Sequence, residues 1–454
     1  MTDSTRIAEL LKAVQGWEEA FDHWVHRIGL QVPRADTRQR VTCYIQSLLG
    51  EVERRNSWQL AASAGHMTPY AFQHVLGRAN WDVEGVRDEV RTYVYDHLHA
   101  ADDALVIDET GFLQQGQHSA GVQRQYSGTA GRVENCQIGV FLGYASVHGQ
   151  SLMDRELYLP KEWLNDPERC DRAGIPTEAV FQTKPQWAEV MLRRAFDHGI
   201  QARWVVGDAV YGDNRGLRGF LEAREQGYVL AVRGKEYVWR GVSQVAIRDL
   251  MTQHLPPPAQ WQRLSAGAGS QGPRLYDWTD LSINRPLQPG WECGVLLRRS
   301  LDPSPQITAY RVFAPVGTPV AALAVAAGRR WTIETCFRET KDQLGLDEYE
   351  VRSWTGWYRH STLVLAAQAF LAAIQMASKK KAGTSAQSLI PGLIALTVQE
   401  SRHLLLRLGQ HFSRRLSPFQ TAAWSCWRRL HQTQAQYYHR QRRALKIVLA
   451  DLQL

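Results

Sequence analysis

The chain has 454 residues, of which 44% are hydrophobic and 22% charged, a composition that excludes a disordered protein and allows two or three folded domains. Its net charge of +8 is unevenly distributed: residues 351–454 carry 15 Lys and Arg against two acidic residues, whereas the preceding part carries 38 against 43. A basic block interleaved with aromatic residues favours nucleic acid as a partner, although a basic helical bundle with an aromatic core would have the same composition. The aromatic residues of this block are Trp354, Trp357, Tyr358, Trp424, Trp427, Tyr437 and Tyr438.

Cysteine spacing and hydropathy further limit the classes of protein to which the chain can belong. Six cysteines without paired spacing argue against a zinc ribbon or a disulfide framework and predict free thiols in a reducing compartment, the cytoplasm. The most apolar segment, residues 363–377, is too short to cross a bilayer and contains two glutamines, so it is predicted to be a buried helix. The cysteines are Cys43, Cys136, Cys170, Cys293, Cys336 and Cys426.

Residues 1–100 are predicted to form a helical region that binds DNA. The segment 57–78 (SWQLAASAGHMTPYAFQHVLGR) predicts a short helix, a turn at Gly65, and a second helix with Thr68 as N-cap and Pro69 at its first position. This is the outline of a helix-turn-helix, and a plain helical hairpin has the same pattern. The residues that it would present to a DNA groove are Tyr70, Gln73, His74 and Arg78.

Residues 101–237 have the pattern of a mixed sheet covered by helices. Three strand-like segments, 104–113, 136–146 and 151–159, come first. An amphipathic helix, a strand ending in an aspartate, a helix and a fifth strand follow. Consecutive strands followed by strands that alternate with helices predict an α/β (mixed α+β) fold.

The rest of the chain divides into three parts. Residues 238–317 break into short β-prone pieces separated by Pro and Gly, which predicts a β-rich insertion. Residues 318–376 return to helical patterns and complete the core. Residues 377–454 are predicted to be a basic helical region, which begins with an exposed loop at 378–388.

Two aspartates end apolar strand segments, and a glutamate lies on a helix that can pack beside the sheet. Asp108 follows ALVI, Asp208 follows WVVG, and the glutamate is Glu334. A lone buried carboxylate is unfavourable, so each aspartate needs a partner unless it serves as a turn residue or a helix cap. Three convergent carboxylates would be neutralised by divalent cations, and oxygen ligands without a nearby His or Cys pair select Mg²⁺ or Mn²⁺. Two such ions about 4 Å apart activate a water or a 3′-hydroxyl at a phosphodiester.

The segment 329–341 (RRWTIETCFRETK) predicts a helix with two stripes. At about 100° per residue, Arg330, Glu334 and Lys341 share one face. These cations would hold DNA phosphates beside the glutamate, although an Arg four residues before a Glu is also an ordinary helix ion pair. The cations assigned to DNA on this helix are Arg330, Arg338 and Lys341, and the adjacent core-facing stripe is Ile333, Phe337 and Leu344.

Together these motifs resemble the DDE transposases of bacterial insertion sequences, whose catalytic core is RNase H-like. The resemblance is to the branch with a β-rich insertion before the glutamate helix and a Tyr-Arg-Glu-Lys signature, and it covers roughly residues 100–375. DETGF matches the first catalytic segment and GDAVYG the second, and the arginine and lysine stand four before and seven after the glutamate, as in the signature. The signature's tyrosine falls at Ala327, where Trp331 is a candidate replacement.

The resemblance implies cut-and-paste transposition. A homodimer would bind the terminal inverted repeats, hydrolyse DNA with two Mg²⁺ ions held by Asp108, Asp208 and Glu334, and join the 3′-hydroxyl to target DNA. Arg124 and Arg132, between the first two strands, would contact the DNA strand or be plain surface. The insertion would offer an aromatic ring to a flipped base, although core packing is the alternative for each candidate. These candidates are Trp239, Trp261, Trp278 and Trp291.

Three other functions are compatible with parts of the pattern. A catalytically silent DNA-binding regulator would not need all three carboxylates. A metal-dependent nuclease or resolvase with the same core would cleave DNA without joining it. A structural helical protein would leave the two strand-end aspartates unexplained.

Overall fold

The N-terminal region is helical in the computed structural model, which describes residues 3–269, 272–285, 287–380 and 396–409 together with positions 434, 437, 438 and 441. Side-chain caps begin two of its helices: Asn56 accepts a hydrogen bond from the Gln59 amide, and Asp82 accepts from the Glu84 amide. The helices are α1 (Asp3–Gly29), α2 (Ala35–Leu49), α3 (Ser57–Ser63), α4 (Tyr70–Gly77) and α5 (Val83–Leu98). Their apolar faces bury large rings such as Trp24, Tyr44 and Phe72, which form one core with the central sheet.

The central sheet has the order β4-β3-β1-β5-β6 in its first part. Strands β1, β5 and β6 are parallel, whereas β3 pairs antiparallel with β1 on one side and with β4 on the other. Parallel neighbours require a crossover, and helices provide it. The strands are β1 (Ala104–Leu113), β2 (Gln123–Ser127), β3 (Arg132–Ala145), β4 (Gln150–Tyr158), β5 (Trp204–Gly207) and β6 (Tyr228–Val232). The helices are α6 (Lys161–Leu164), α7 (Pro167–Ala173), α8 (Lys184–Asp197), α9 (Ala209–Gly212) and α10 (Arg215–Glu222). The predicted α/β class is confirmed, but four consecutive strands come first and not the predicted three, because residues 123–127 form an additional strand that pairs with β3.

The β-rich segment extends this same sheet. Strand β12 pairs antiparallel with β6, and the order continues β12-β11-β10-β9, which makes a ten-stranded sheet. A second small core, which includes Val238, Ile247, Val295 and Leu297, lies beneath a separate two-stranded hairpin. The elements are β7 (Tyr237–Arg240), β8 (Ser243–Ala246), α11 (Ile247–Leu250), β9 (Gln262–Gly269), β10 (Gly272–Ser282), β11 (Trp291–Arg299) and β12 (Ile307–Pro315).

The predicted glutamate helix is observed, but it begins two residues later than the segment 329–341 suggests. The helices here are α12 (Val320–Arg329) and α13 (Trp331–Leu344), and Arg330 lies at their junction. The predicted core stripe is confirmed, because Ile333, Phe337 and Leu344 are all buried. Helix α12 packs against β9 so closely that a Cβ at Gly328 would lie 1.8 Å from the Ala266 carbonyl oxygen. Only glycine fits there.

The long helix α14 (Trp354–Lys380) is the central helix of the core. Among the described residues it is the one helix long and apolar enough to cross a membrane, at Trp354–Ser378, and 89% of its most apolar window is buried inside the protein. The Trp24 indole donates to the Ala366 carbonyl oxygen (3.0 Å) and so ties α1 to α14. The buried helix predicted at 363–377 is therefore confirmed.

Part of the basic C-terminal block belongs to the core. Trp357 and Tyr358 lie on α14 and are buried, whereas Tyr437 and Tyr438 are exposed. Helix α15 (Val398–Leu408) packs on α14 and α1. Of the predicted features, Trp424, Trp427, Cys426 and all of the loop 378–388 beyond α14 lie outside the described residues. The other five cysteines are free thiols.

Candidate active site

The sheet brings the two predicted aspartates together. Parallel pairing of β1 with β5 ends at Ile107 opposite Gly207, so Asp108 and Asp208 are the next residues of two adjacent strands. The Asp108 carboxylate accepts a hydrogen bond from the Glu109 amide (2.9 Å). The Asp208 carboxylate caps α9 by accepting from the Val210 amide (2.8 Å). The helix-cap role that was open for Asp208 is thus observed, and it fixes this carboxylate beside Asp108.

Both aspartates lie where negative charge is unfavourable. Burial raises the pKa of Asp108 to about 7, against the lowering effect of the Arg330 guanidinium. Burial also raises the pKa of Asp208, and the neighbouring Glu109 carboxylate adds to that rise. These two half-buried carboxylates, of which Asp208 raises the pKa of Asp108, form an oxygen-only donor pair, which fits a hard divalent cation.

Glu334 stands on the first turn of α13 and is paired with Arg330. The guanidinium donates to the Glu334 carboxylate at 3.0 Å, and the glutamate side chain is 43% exposed. Because Arg330 also lowers the pKa values of Asp108 and Asp208, it lies near all three carboxylates. Within the described ranges, no three His, Cys, Asp or Glu side chains are grouped closely enough to hold a metal ion. The structure therefore brings two of the three predicted carboxylates together, Asp108 and Asp208. The site of all three stays a prediction.

The remaining cations of α13 have different surroundings. The Lys341 ammonium donates to the Gly111 carbonyl oxygen of β1 (3.0 Å) and lies 3.4 Å from the Thr129 hydroxyl. Burial lowers the pKa of Lys341. Lys341 thus ties α13 to β1 and to the turn between β2 and β3, whereas Arg338 is exposed on the same helix.

A group of side chains that the sequence does not indicate lies beside the aspartates. The Glu109 carboxylate accepts hydrogen bonds from the Lys184 ammonium (2.7 Å) and from the Tyr211 hydroxyl (2.6 Å). A Cβ at Gly212 would lie 1.8 Å from the Ala231 carbonyl oxygen, so α9 is pressed against β6. The letters of DETGF and GDAVYG contain Glu109, Tyr211 and Gly212, but nothing in the sequence indicates their pairing.

The four tryptophans of the insertion differ in accessibility. Trp278 is fully buried, and Trp291 stacks on Phe313 with ring centroids 4.4 Å apart. The Trp261 indole donates to a backbone carbonyl oxygen (3.1 Å), and an arginine lies over its ring. Trp239 is 50% exposed and borders a cleft of about 270 Å³. This cleft is also lined by Arg215, Arg218 and Arg285. Trp239 is therefore the one whose ring is open to a ligand.

The two helices and the turn predicted for residues 57–78 are observed, and their role as a helix-turn-helix that reads DNA stays a prediction. The residues assigned to DNA are all exposed on or next to α4: Tyr70, Gln73, His74 and Arg78. The second helix begins at Tyr70, one residue later than predicted, and the predicted cap at Thr68 is wrong because Pro69 holds the N-cap position without a side-chain hydrogen bond. In the β2–β3 hairpin, Arg124 is exposed and Arg132 donates to Glu134 (2.7 Å) at the surface.

The signature position before Glu334 and its replacement candidate lie on α12 and α13, and one arginine of the insertion approaches them. Trp331, the candidate for the missing signature tyrosine, is 40% exposed, and the guanidinium groups of Arg274 and Arg330 each lie 5.8 Å from its ring. Ala327 is buried on α12. Arg274 was not anticipated, because its approach depends on the packing of β10 against α12.

The structure defines a mixed α/β protein whose helix-flanked sheet places two aspartates side by side. Residues 29–282 match the family of DDE superfamily endonucleases, and the chain belongs to that family. Over 192 residues the chain is 24% identical to a protein of Microchaete diplosiphon described as the probable transposase for insertion sequence element IS701. This match spans 42% of the chain and 47% of the relative, so about half of the relative's length is covered. The resemblance to DDE enzymes predicted from the motifs is confirmed.

Proposed function

We propose that this chain is a transposase that cleaves DNA at the ends of an insertion sequence and joins the freed 3′-hydroxyl to target DNA by a cut-and-paste route. The observation that carries the proposal is the pair Asp108 and Asp208, which lie side by side where the parallel pairing of β1 with β5 ends, in a member of the DDE endonuclease family. The name of the similar protein from Microchaete diplosiphon points the same way.

Divalent ions are the cofactor that suits these carboxylates. Asp108, Asp208 and Glu334 would hold two Mg²⁺ ions, with Mn²⁺ as a substitute, because all the donors are carboxylate oxygens. When bound, the ions supply activation of the attacking hydroxyl and stabilisation of the leaving oxygen. Glu334 is held by Arg330 in the protein alone. A DNA phosphate would compete for that guanidinium and so release Glu334 toward the aspartates.

The DNA would be held by several surfaces. Arg330, which lies near the aspartates, would hold DNA phosphates together with Arg338 and Lys341 of α13, and the exposed face of α4 would read the inverted repeat. Arg124 and Arg132 would contact the strand along the hairpin, and Trp239 would stack on an unpaired base. Two transposon ends must be held together, so the active complex is proposed to be a homodimer.

Nicking of a supercoiled plasmid that carries the matched inverted repeats flanking the gene tests this function. We expect Mg²⁺-dependent nicking followed by joining, and we expect Asp108→Ala, Asp208→Ala and Glu334→Ala each to abolish cleavage while DNA binding is retained. Asp280→Ala is the matched control, because Asp280 is an exposed carboxylate of β10.

The alternatives give different products. Binding without nicking by the unaltered protein would favour a catalytically silent regulator. Nicking without joining would favour a nuclease or resolvase. Cleavage near the unaltered rate in any of the three carboxylate variants would remove that residue from the site.

A further inference from the structure

The Glu109 carboxylate joins three elements beside the aspartates. Both of its oxygens are occupied, one by the Lys184 ammonium of α8 (2.7 Å) and the other by the Tyr211 hydroxyl of α9 (2.6 Å). Tyr211 is fully buried and Glu109 is largely so, with 18% of its side chain exposed. A carboxylate whose two oxygens accept charge-assisted or buried hydrogen bonds is rigidly placed.

The bond between Glu109 and Tyr211 is a short bridge between the segments that carry the two aspartates. Glu109 directly follows Asp108 on β1. Tyr211 follows Asp208 by three residues on the same turn, and its amide donates to the Asp208 carbonyl oxygen (3.2 Å). Any shift of the Tyr211 ring would therefore move Asp208 relative to β1.

The opposite side of the turn is fixed by packing. Gly212 lies against the backbone of β6, so closely that no larger residue fits. The amide of Gly212 donates to the Asp208 carbonyl oxygen (2.9 Å). The turn is therefore pressed against β6 at Gly212 and bonded to β1 at Tyr211.

We propose that Glu109 and Tyr211 are positioning residues that set the separation between the Asp108 and Asp208 carboxylates, with Lys184 compensating the charge of Glu109. The inference rests on the proposed metal site. Each Glu109 oxygen already accepts a hydrogen bond from a neighbouring element, so Glu109 is proposed to support the ligands and not to be one of them. Loss of hydrogen bonds that orient metal ligands typically weakens metal binding by about 10- to 100-fold.

Tyr228 supplies a matched control elsewhere in the same sheet. It is as fully buried as Tyr211, and its hydroxyl donates to the Glu222 carboxylate at 2.7 Å. It stands on β6, away from the turn that carries Asp208. Tyr228→Phe therefore removes the same kind of bond with the same loss of one oxygen atom, but it leaves the bridge intact.

The test is Mn²⁺ binding to the full-length protein by titration calorimetry, with urea unfolding of each variant. We expect Tyr211→Phe and Glu109→Ala each to weaken Mn²⁺ binding about 10-fold or more. The double variant should bind Mn²⁺ as tightly as the single variant with the lower affinity, because the same bridge is lost in every case. Glu109→Gln keeps an oxygen that accepts from Tyr211, so it should retain binding closer to that of the unaltered protein. Tyr228→Phe should lose comparable stability and bind Mn²⁺ normally.

Two results would overturn the positioning role: Tyr211→Phe binding Mn²⁺ within about twofold of the unaltered protein, or Tyr228→Phe weakening binding as much as Tyr211→Phe. Absence of Mn²⁺ binding by the unaltered protein would refute the metal site itself and the inference with it. The two failures are therefore distinguished in a single titration series.

Discussion

Replacement of Asp108 by Asn tests whether the charged Asp108 carboxylate lowers the free energy of unfolding of the protein. Asn is isosteric and retains an oxygen for the Glu109 amide, so the variant changes charge with little change in packing. The pKa of Asp108 is about 7, against an ordinary value of 3.8. This difference in pKa means that charged Asp108 destabilises the folded protein by at most ~4 kcal/mol. Because the side chain is only half-buried, solvent screening reduces the expected effect to about 2 kcal/mol.

The sign of the effect follows from proton linkage. The folded protein binds the Asp108 proton more tightly than the unfolded chain does, so this residue's contribution to stability falls as pH rises between about 4 and about 7. We therefore expect Asp108→Asn to be more stable than the unaltered protein by about 2 kcal/mol above about pH 8, and the difference to shrink as pH is lowered.

The assay is urea unfolding followed by tryptophan fluorescence, in the presence of a chelator and at several pH values. Asp280→Asn serves as the control, because it makes the same substitution at an exposed position of β10. Saturating Mn²⁺ should reverse the order, since it stabilises only the protein that binds it. A variant that is no more stable than the unaltered protein above about pH 8, or a difference that grows as pH falls, would refute the reasoning.

Three further predictions concern other parts of the molecule. Arg330→Ala and Lys341→Ala should each raise the activation free energy of end nicking by about 1.5–3 kcal/mol, the size of a charge-assisted hydrogen bond. Lys341→Ala should also lower the free energy of unfolding, because the Gly111 contact is lost. Unchanged nicking rates would contradict this prediction. Trp239→Ala should weaken binding of a DNA end with an unpaired base by about 1–3 kcal/mol and leave urea unfolding unchanged, because this ring is exposed. Trp278→Ala should lower the free energy of unfolding by about 3–5 kcal/mol, because this ring is fully buried. Equal unfolding curves for the two variants would contradict this difference. Asp154→Ala should destabilise the fold by about 3–5 kcal/mol, because the fully buried Asp154 accepts from the equally buried Arg91 at 2.9 Å; a loss below about 1 kcal/mol would show that this cluster is not a structural ion-pair network.

The strands that hold the aspartates could be predicted because their apolar runs are local and end abruptly at a charged residue. Neighbouring parallel strands then bring Asp108 and Asp208 together whatever the surrounding loops do. The buried stripe of Ile333, Phe337 and Leu344 could also be predicted, since it depends only on helical periodicity.

Contacts between distant segments could not be predicted. Glu109 and Tyr211 are 102 residues apart, and neither strand periodicity nor composition indicates that they touch. The pairing of β12 with β6 likewise depends on how a long segment folds back, so the sequence predicted a β-rich insertion without its place in the sheet. At Glu334 the sequence allowed both an ion pair and a metal ligand, and the ion pair with Arg330 is what the protein alone forms.

The pairing of β6 with β12 makes the β-rich segment continuous with the strands that carry the aspartates. Five consecutive residue pairs, from Ala309–Val232 to Phe313–Tyr228, join this segment to the strand next to the one that precedes Asp208. Any movement of the β-rich segment relative to the two aspartates would therefore have to break this ladder of backbone hydrogen bonds first.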